Sequence, residues 1–534
     1  MSSWSRGLIG AFGIGILLAV PARAAVLRYA AGQDVAIMDP YMVDETFTTN
    51  FLASIYEPLV RRGREMEIEP GLAASWEQAE PTRWRFHLRQ SVKFQDGMPF
   101  TAEDVVFSLE RVHKPGSNMV NRVANIGSVT AVDAQTVDIV TRTPDPTLLA
   151  NLTAVLIMSK SWAVAHGATD PIDMRSAKEN YAALHAMGTG PFVLKTREPG
   201  TRTVLTANPG WWDKPEHNLT EVDFTPILND ATRVAALLTG EVDMIDPVPL
   251  QDQPRVKAAD GLVLMTGPEL RVVFLGMDQF RPELLYSDVK GKNPFLDIRV
   301  RQAFYAAIDV WAIRDRVMAV QSQPTAEIAA PGIVGYDAAQ AAHPHADLDR
   351  AKRLMAEAGY ANGFTLDMNC PAGRYVNDAR ICEAIAGMLA HINVRLKVIT
   401  QMPAAFFGRL AKRDTSFYML GTTPPTYDAY STVFGLMACP PDLLDGRAVA
   451  VASGGAFNSG GWCDAATDAL TAAAGSELDA AKRNADFAQI WGRMIAQVGY
   501  IPLHQQGLSW GVRKGIKLVQ RPDDVLDLRF VRMP

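Results

Sequence analysis

The stretch that decides the fold lies at residues 85–112 and reads RFHLRQSVKFQDGMPFTAEDVVFSLERV. Hydrophobic side chains alternate in RWRFHL (83–88), which overlaps its start, and a period of two is typical of a half-buried strand. Asp96-Gly97 then predicts a tight turn, because an Asp-Gly pair between apolar segments favours the backbone that a hairpin needs. Thr101 predicts a helix N-cap, and the acidic residues that follow it suit the positive end of the helix dipole. The stretch therefore predicts a strand, a turn and a helix in one unit.

Further along the chain, helix and strand patterns alternate. DATRVAALLTGEVDMI (230–245) predicts a helix closed by Gly240 and followed by a strand. Asp297 predicts the N-cap of the helix IRVRQAFYAAI (298–308), where apolar residues recur every four positions. The alternation continues in FTLDMNC (364–370), ICEAIAGMLAHI (381–392) and VRLKVIT (394–400). Such alternation implies an α/β fold with layers around a largely buried sheet.

Length and composition restrict the class of protein. The 534 residues exceed a typical domain of roughly 100–200 residues, so more than one folding unit is expected. Hydrophobic residues at 48% provide apolar surface for large cores, which excludes disorder as the dominant state. The 52 Lys+Arg and 58 Asp+Glu residues give a formal charge of −6, which argues against nucleic acid or an anionic membrane surface as a partner.

The N-terminus has the pattern of a cleavable export signal at residues 1–24. Arg6 precedes the apolar run LIGAFGIGILLAV (8–20), and small residues at Ala22 and Ala24 form an A-x-A cleavage pattern. A membrane anchor is the alternative, but the run is shorter than the ~20 residues that span a bilayer. Since no cysteine lies near the cleavage point, we expect a mature protein of the periplasm that is free of a lipid anchor.

Export changes what the four cysteines imply, because it places them in an oxidising compartment. An even number in an oxidising compartment favours disulfides, and four cysteines allow three pairings. Cys370–Cys382 with Cys439–Cys463 is the most local of them. A zinc site is not supported, because C-x-x-C spacing and nearby histidines are absent from the sequence.

Sequence motifs of metalloproteases, nucleotide-binding loops and calcium loops do not occur. Three loop-like stretches instead carry polar and aromatic residues, and an Arg and an Asp among them could hold the carboxylate and the ammonium of a zwitterion such as a peptide. The candidate ligand-binding residues are Thr46 in YMVDETFTTN (41–50), Arg374 and Tyr375 in CPAGRYVND (370–378), and Tyr427 and Asp428 in GTTPPTYDAY (421–430). No metal site and no cofactor is predicted.

At this point the chain resembles a known family, and the matching motifs occur in the same order along nearly its whole length. They look like bacterial extracytoplasmic solute-binding proteins of family 5, which include the dipeptide-, oligopeptide-, nickel- and opine-binding components of ABC importers. The matching stretches are YEPLVRR (56–62), EPGLAASWE (69–77), residues 85–112, GTGPFVLK (188–195), RVAALLTGEVDMI (233–245), NPFLDIRVRQAFYAAID (293–309), AKRLMAEAGYANGF (351–364) and YIPLH (500–504).

The resemblance implies a periplasmic binding protein-like fold with two lobes and an inserted domain, three domains in all. Lobe I would comprise residues 25–70, 187–270 and 500–534. The inserted domain would comprise 71–186, and lobe II would comprise 271–499.

The resemblance also suggests roles for individual residues. In peptide-binding members an Asp meets the ligand ammonium and an Arg meets its carboxylate. Asp428 matches the Asp, and Arg374 matches the Arg to within one residue, because the relatives' R-P-Y-N reads G-R-Y-V here. Cys439 and Trp462-Cys463 resemble a disulfide pair of dipeptide-binding relatives.

Together these features predict the periplasmic substrate-binding subunit of an ABC importer. It would enclose a dipeptide or short peptide between its lobes and deliver it to membrane permeases, as a monomer and without catalysis. The alternatives are a non-peptide ligand (an opine, a sugar derivative or a metal chelate), a secreted hydrolase, and a chaperone or receptor-coupled sensor.

Overall fold

A computed structural model describes residues 25–172, 180–444, 451 and 454–534 of the chain. The predicted signal peptide, residues 1–24, lies outside the described residues. The described residues form one large mixed sheet, a separate four-stranded sheet and two small two-stranded sheets, with helices packed around them. The predicted α/β class is confirmed.

The strands of the described residues are numbered in chain order. They are β1 (Val26–Ala31), β2 (Glu57–Pro58), β3 (Val60–Arg62), β4 (Ile68–Pro70), β5 (Ala73–Glu80), β6 (Arg83–Leu88), β7 (Ile126–Asp133), β8 (Thr136–Thr141), β9 (Leu156–Ile157), β10 (Phe192–Glu198), β11 (Arg202–Ala207), β12 (Glu221–Pro226), β13 (Met244–Asp246), β14 (Leu262–Met277), β15 (Ser322–Pro324), β16 (Thr365–Pro371), β17 (Arg395–Gln401), β18 (Phe417–Thr422) and β19 (Ile501–Arg513).

The helices of the same residues are numbered likewise. They are α1 (Thr46–Leu52), α2 (Ala102–His113), α3 (Val120–Val123), α4 (Leu148–Leu152), α5 (Lys160–Ala165), α6 (Asp230–Thr239), α7 (Gln253–Ala258), α8 (Ile298–Ala307), α9 (Val310–Ala312), α10 (Leu348–Glu357), α11 (Asp378–Ala390), α12 (Pro403–Ala411), α13 (Ala429–Thr432), α14 (Ala465–Ala474) and α15 (Ala480–Gln497).

The local predictions for the opening stretch are confirmed. Strand β6 covers Arg83–Leu88, and α2 begins after Thr101, which forms a capping box with Asp104. Gly97 has a φ of +89°, a left-handed conformation that suits glycine in the Asp96-Gly97 turn. The four-stranded sheet runs in the order β5-β6-β8-β7. It lies within residues 71–186, although the limits of the three domains stay a prediction.

The large sheet has the order β10-β11-β12-β1-β13-β19-β14-β18-β16-β17, with β15 added on β19. On one side β1 is parallel to both β12 and β13, and on the other side β16 is parallel to β17 and β18. The long strands β14 and β19 pair antiparallel between these two sets. They are therefore the two strands by which one half of the sheet continues into the other.

The hydrophobic cores separate along these two strands. In β19, Ile501 and Leu503 belong to a core built with α8 and α11, whereas Trp510 and Val512 belong to a core built with the N-terminal strands. In β14, Val273 joins the first of these cores. Two cores joined by two continuous strands is the architecture expected for two lobes with a shared hinge region.

Both predicted disulfides are confirmed. Cys370 bonds Cys382 and thereby joins the end of β16 to α11, and Cys439 bonds Cys463. The observed pairing is the most local of the three that the sequence allows.

His504 on β19 is fully buried between the cores. Neither ring nitrogen has a hydrogen-bond partner among the described residues, and burial lowers the pKa of this histidine to about 4. The folded protein therefore keeps the ring neutral at a pH where the unfolded chain takes up a proton.

We expect the free energy of unfolding to fall as the pH is lowered from about 6.5 to 4, by up to about 3 kcal/mol from this one group. Urea unfolding of His504→Leu over this range should show a shallower pH dependence than wild type. His391→Leu, at an exposed position after α11, is the control and should keep the wild-type slope. Parallel profiles for wild type and His504→Leu would contradict the prediction.

Candidate functional site

The loops at the carboxyl ends of the parallel strands form the candidate site. In lobe I, β13 ends at Asp246 beside the end of β1. In lobe II, β16 leads into Arg374 and Tyr375, and β18 leads into the loop 423–428. Ligands of open α/β sheets bind outside the carboxyl ends of strands, so these loops are where a ligand is expected.

A bulge in β14 lies between the two sets of loops. Residues 269–271 of β14 stand opposite the single residue Gln506 of β19, because the register shifts between the pairs formed by Pro268 and Val272. Such a bulge bends and twists a strand and re-aims its side chains. It places Glu269 and Arg271 at the point where the chain passes from one lobe to the other.

Glu269 is held by partners on both of its oxygens. Arg271 Nε donates to Oε1 at 2.8 Å, and Gln506 Nε2 donates to Oε2 at 2.6 Å. Gln505 Nε2 donates to the Glu269 carbonyl oxygen at 2.7 Å. Gln506 also accepts a hydrogen bond from the Val376 backbone N–H at 2.9 Å, which ties the loop after β16 to the bulge. Because Glu269 is only 3% exposed, this network satisfies a buried charge at the hinge.

Tyr375 is fixed by both its backbone and its hydroxyl group. Its N–H donates to the Asp378 carboxylate at 3.2 Å, and its hydroxyl donates to the Gly421 carbonyl oxygen at 3.1 Å. A Cβ atom at Gly421 would lie 2.9 Å from the Tyr375 ring, so glycine permits the close approach. These contacts hold the ring in one orientation. Two guanidiniums lie near it, one from the loop after β16 and one from β14. Arg374 lies 5.7 Å and Arg271 5.9 Å from its centroid.

Arg374 differs from its neighbours in having no internal partner. Its guanidinium makes no hydrogen bond or ion pair with any residue that the structure describes, and the side chain is exposed. Surrounding protein atoms and then repulsion from Arg271 lower the pKa of Arg374, while Glu269 and Glu45 oppose that change. The pair of guanidiniums thus carries more positive charge than Glu269 alone neutralises.

Thr46 is the first residue of α1 and is exposed. Glu45 caps that helix by accepting hydrogen bonds from Phe47 N–H and Thr48 N–H, both at 2.9 Å. Because Glu45 also raises the pKa of Arg374, the start of α1 lies on the Arg374 side of the site.

Asp428, the residue expected to meet a ligand ammonium, has partners within the protein. Its Oδ2 accepts from Arg483 Nη1 at 2.6 Å, and its Oδ1 accepts from Arg483 Nη2 at 2.8 Å and from Tyr430 N–H at 2.8 Å. The residue is 4% exposed and caps α13. Both oxygens are therefore occupied within the protein, and this geometry speaks against Asp428 as the partner of a ligand ammonium.

Tyr427 lies in a loop that connects the two lobes. The Arg62 guanidinium is 5.0 Å from the Tyr427 ring centroid, and its Nη2 donates to the Thr426 carbonyl oxygen at 3.1 Å. Arg122, which is paired with Asp44, donates to the Pro425 carbonyl oxygen at 2.9 Å. The loop thus contacts both the N-terminal segment and the predicted inserted domain.

Sequence reasoning missed Glu269, Arg271 and Gln506. Arg271 stands in ELRVVFLGM (269–277), a stretch with the pattern of a strand and not of a loop. A charged Glu-x-Arg inside an otherwise apolar strand is the signal that could have indicated them.

A family model supports the resemblance seen in the sequence. The model for bacterial extracellular solute-binding proteins, family 5 Middle, matches residues 67–442. The chain belongs to this family. Members of family 5 are periplasmic substrate-binding subunits of ABC importers, and this is the role of the chain.

The family 5 protein has relatives of similar length. Glutathione-binding protein GsiB of Shigella dysenteriae serotype 1 (strain Sd197) is 25% identical over 454 residues, which cover 82% of this chain and 83% of GsiB. GsiB of Salmonella typhimurium is 27% identical over 395 residues, which cover 73% and 72%. These relatives are binding proteins rather than enzymes.

Solved structures share the fold of the family 5 protein over nearly its full length. The dipeptide binding protein of Pseudoalteromonas sp. SM9913 in complex with Met-Leu superimposes with a TM-score of 0.78 at 20% identity, covering 95% of this chain and 100% of that one. The binding protein MoaA of A. tumefacien R10 in complex with mannopinic acid gives 0.74 at 25% identity, covering 96% and 99%. The predicted fold of periplasmic binding-protein type is confirmed.

No helix in the described ranges is long and apolar enough to cross a membrane. Over the same ranges, no group of three or more His, Cys, Asp or Glu side chains is arranged to hold a metal ion.

We expect Asp428→Ala to lower the free energy of unfolding by about 3–5 kcal/mol, because it leaves the buried Arg483 guanidinium unpaired. Urea unfolding measures this change. The double variant Asp428→Leu/Arg483→Met should regain much of the lost stability, since it removes both charges. A variant that keeps its stability but loses affinity for its solute would show instead that Asp428 serves the ligand.

Proposed function

We propose that this family 5 protein captures its solute through a carboxylate, which Arg374 and Arg271 hold beside Tyr375. The observation that carries the proposal is the Arg374 guanidinium, which has no partner among the described residues and lies with the Arg271 guanidinium beside one rigid aromatic ring, that of Tyr375. Guanidinium groups bind carboxylates through paired, charge-assisted hydrogen bonds. A bound carboxylate would also relieve the repulsion between the two arginines.

The ligands of the relatives are consistent with this chemistry. Relatives are described with glutathione, with the dipeptide Met-Leu and with mannopinic acid. All three carry a carboxylate, although they differ in size and in the rest of their structure. We propose a short peptide as the solute, with an opine-type acid as the alternative. The sugar-derivative and metal-chelate alternatives draw no support from the site.

Thr46 and Tyr427 complete the proposed enclosure. The exposed hydroxyl of Thr46 stands on the Arg374 side of the site and can donate to a carboxylate oxygen. Tyr427 acts through the contacts of its loop with Arg62, which hold the lobes together around the solute.

The route to the periplasm and the state of the mature protein are also proposals. We propose that residues 1–24 direct export and are removed, that the mature chain carries no lipid anchor, and that it works as a monomer. It would deliver its solute to the permease subunits of the importer.

We expect Arg374→Ala to weaken solute binding about 10- to 100-fold, the size expected for the loss of a charge-assisted hydrogen-bond pair. Calorimetric titrations should use Met-Leu, glutathione and mannopinic acid, with the amide of Met-Leu as the matched ligand that lacks the carboxylate. Arg374→Lys should fall between wild type and Arg374→Ala.

Arg353→Ala, at an exposed position on α10, is the control for loss of positive charge and should bind as wild type does. Unchanged affinity of Arg374→Ala for the tightest ligand would contradict the proposal. So would equal binding of Met-Leu and its amide by wild type.

A further inference from the structure

The loop between β16 and α11 has a backbone that is held by side chains from outside it. We call residues 372–377 the arginine loop. Its three central N–H groups, at residues 374–376, all donate to side chains of other elements. The first two donate to Asp378 Oδ2 at 2.8 and 3.2 Å, and the third donates to Gln506 Oε1 at 2.9 Å. Surface loops usually leave such groups to water, so this backbone is fixed to an unusual degree.

Asp378 divides its two carboxylate oxygens between the helix and the loop. It is the first residue of α11 and is only 5% exposed. Its Oδ1 accepts from the Ala379 N–H, the next in the helix, at 2.9 Å, whereas Oδ2 accepts from two N–H groups of the arginine loop. A carboxylate at the start of a helix normally satisfies N–H groups of the first helical turn. Here one oxygen points back to positions three and four residues earlier, so Asp378 serves the loop as well as the helix.

The Cys370–Cys382 disulfide closes the arginine loop at its base. Cys370 lies in β16 and Cys382 in the second turn of α11, and both residues are fully buried. The bond joins positions 12 residues apart, and the whole loop lies between them. The start of α11, and Asp378 with it, is therefore kept beside the end of β16. The second disulfide, Cys439–Cys463, encloses no part of the loop.

The arginine loop bends sharply on both sides of its central residues. Gly373 and Asn377 have φ values of +78° and +55°, in the left-handed region that glycine and asparagine adopt most readily. Asn377 Nδ2 also donates to the Val317 carbonyl oxygen at 2.7 Å. The Arg374 guanidinium, by contrast, bonds no residue that the structure describes. A fixed backbone that presents a free charged group lowers the entropy lost when a ligand binds.

We propose that Asp378 and the Cys370–Cys382 disulfide are positioning groups for the solute. They hold the arginine loop in one conformation before the solute arrives, so that the Arg374 guanidinium meets a carboxylate without first having to order the loop. The inference rests on the proposed function for the contact between Arg374 and the carboxylate. A role in stability alone would change the unfolding of these variants and leave the strength of that contact as it is.

A double-mutant cycle separates positioning from stability. Calorimetry measures the affinity of the full chain for Met-Leu and for mannopinic acid, with Arg374→Ala introduced into wild type, into Asp378→Ala and into Cys370→Ala/Cys382→Ala. We expect Asp378→Ala and the cysteine double variant each to weaken binding about tenfold. We also expect the loss of affinity caused by Arg374→Ala to be about fivefold smaller in either background than in wild type, because a guanidinium that is no longer positioned contributes less.

Matched variants control for lost stability. Asp347→Ala removes the carboxylate that caps α10, and Cys439→Ala/Cys463→Ala removes the other disulfide. Neither should change the affinity, although both should lower the melting temperature. Asp378→Asn should keep more affinity than Asp378→Ala, since its amide oxygen can still accept from the loop. If the variant without the first disulfide fails to fold, the two Asp378 variants decide the matter.

Hydrogen exchange followed by mass spectrometry examines the arginine loop without a solute. Peptides that contain residues 374–376 should exchange about tenfold faster in Asp378→Ala than in wild type, whereas peptides from β1 should exchange at the same rate in both.

The outcomes distinguish the inference from the proposed function. An equal effect of Arg374→Ala in all backgrounds, or wild-type exchange of the loop in Asp378→Ala, would overturn the positioning role and leave the proposed function standing. Unchanged affinity of Arg374→Ala in the wild-type background, or binding of neither acid by wild type, would overturn the proposed function and this inference with it.

Discussion

The antiparallel pairing of β14 with β19 is the constraint on which the rest of the molecule depends. Each strand contributes side chains to the core of either lobe, so the lobes cannot separate without breaking this ladder. The bulge at residues 269–271 interrupts the ladder where the strands cross. Hydrogen bonds from the Gln505 and Gln506 side chains to Glu269 join the two strands across this interruption. Glu269 and Arg271 therefore belong both to the bulge and to the candidate site, so bending at the bulge must move these charges.

The partners of each charge separate structural roles from binding roles in this cleft. Asp428 and Glu269 are buried and have complete sets of donors, which is what a stable fold requires of a buried carboxylate. The Arg374 guanidinium lies beside the same bulge and has no such partner among the described residues. A fold gains nothing from keeping unpaired charges near its hinge, whereas a binding protein needs them, because the ligand supplies the missing partners.

Much of the fold could be predicted from the sequence, because its signals are local. The cap at Thr101, the cap at Asp297 and the left-handed Gly240 each depend on residues within a few positions. The disulfides were also local, and the most local pairing is the one observed. The resemblance to family 5 then provided the topology, which no local pattern contains.

The site was harder to predict, since its parts are distant in sequence. Arg374 and Tyr375 stood in a recognisable loop, but Arg271 is far from them in sequence and approaches the Tyr375 ring only through the sheet order. Asp428 shows the opposite problem. Its position in a polar loop suggested a ligand contact, but Arg483 on α15 approaches it from 55 residues away and occupies both oxygens. Sequence reveals which residues are charged, and only the fold reveals which charges are already neutralised.

The same charges couple binding to closure of the lobes. Contacts of the loop 423–428 with Arg62 and Arg122 join the lobes directly and stabilise this arrangement. Closing the lobes would remove water from the unpaired Arg374 guanidinium, which opposes that step, and a bound carboxylate would remove the opposition. The solute would therefore shift the balance towards the closed form through its differential affinity for that form.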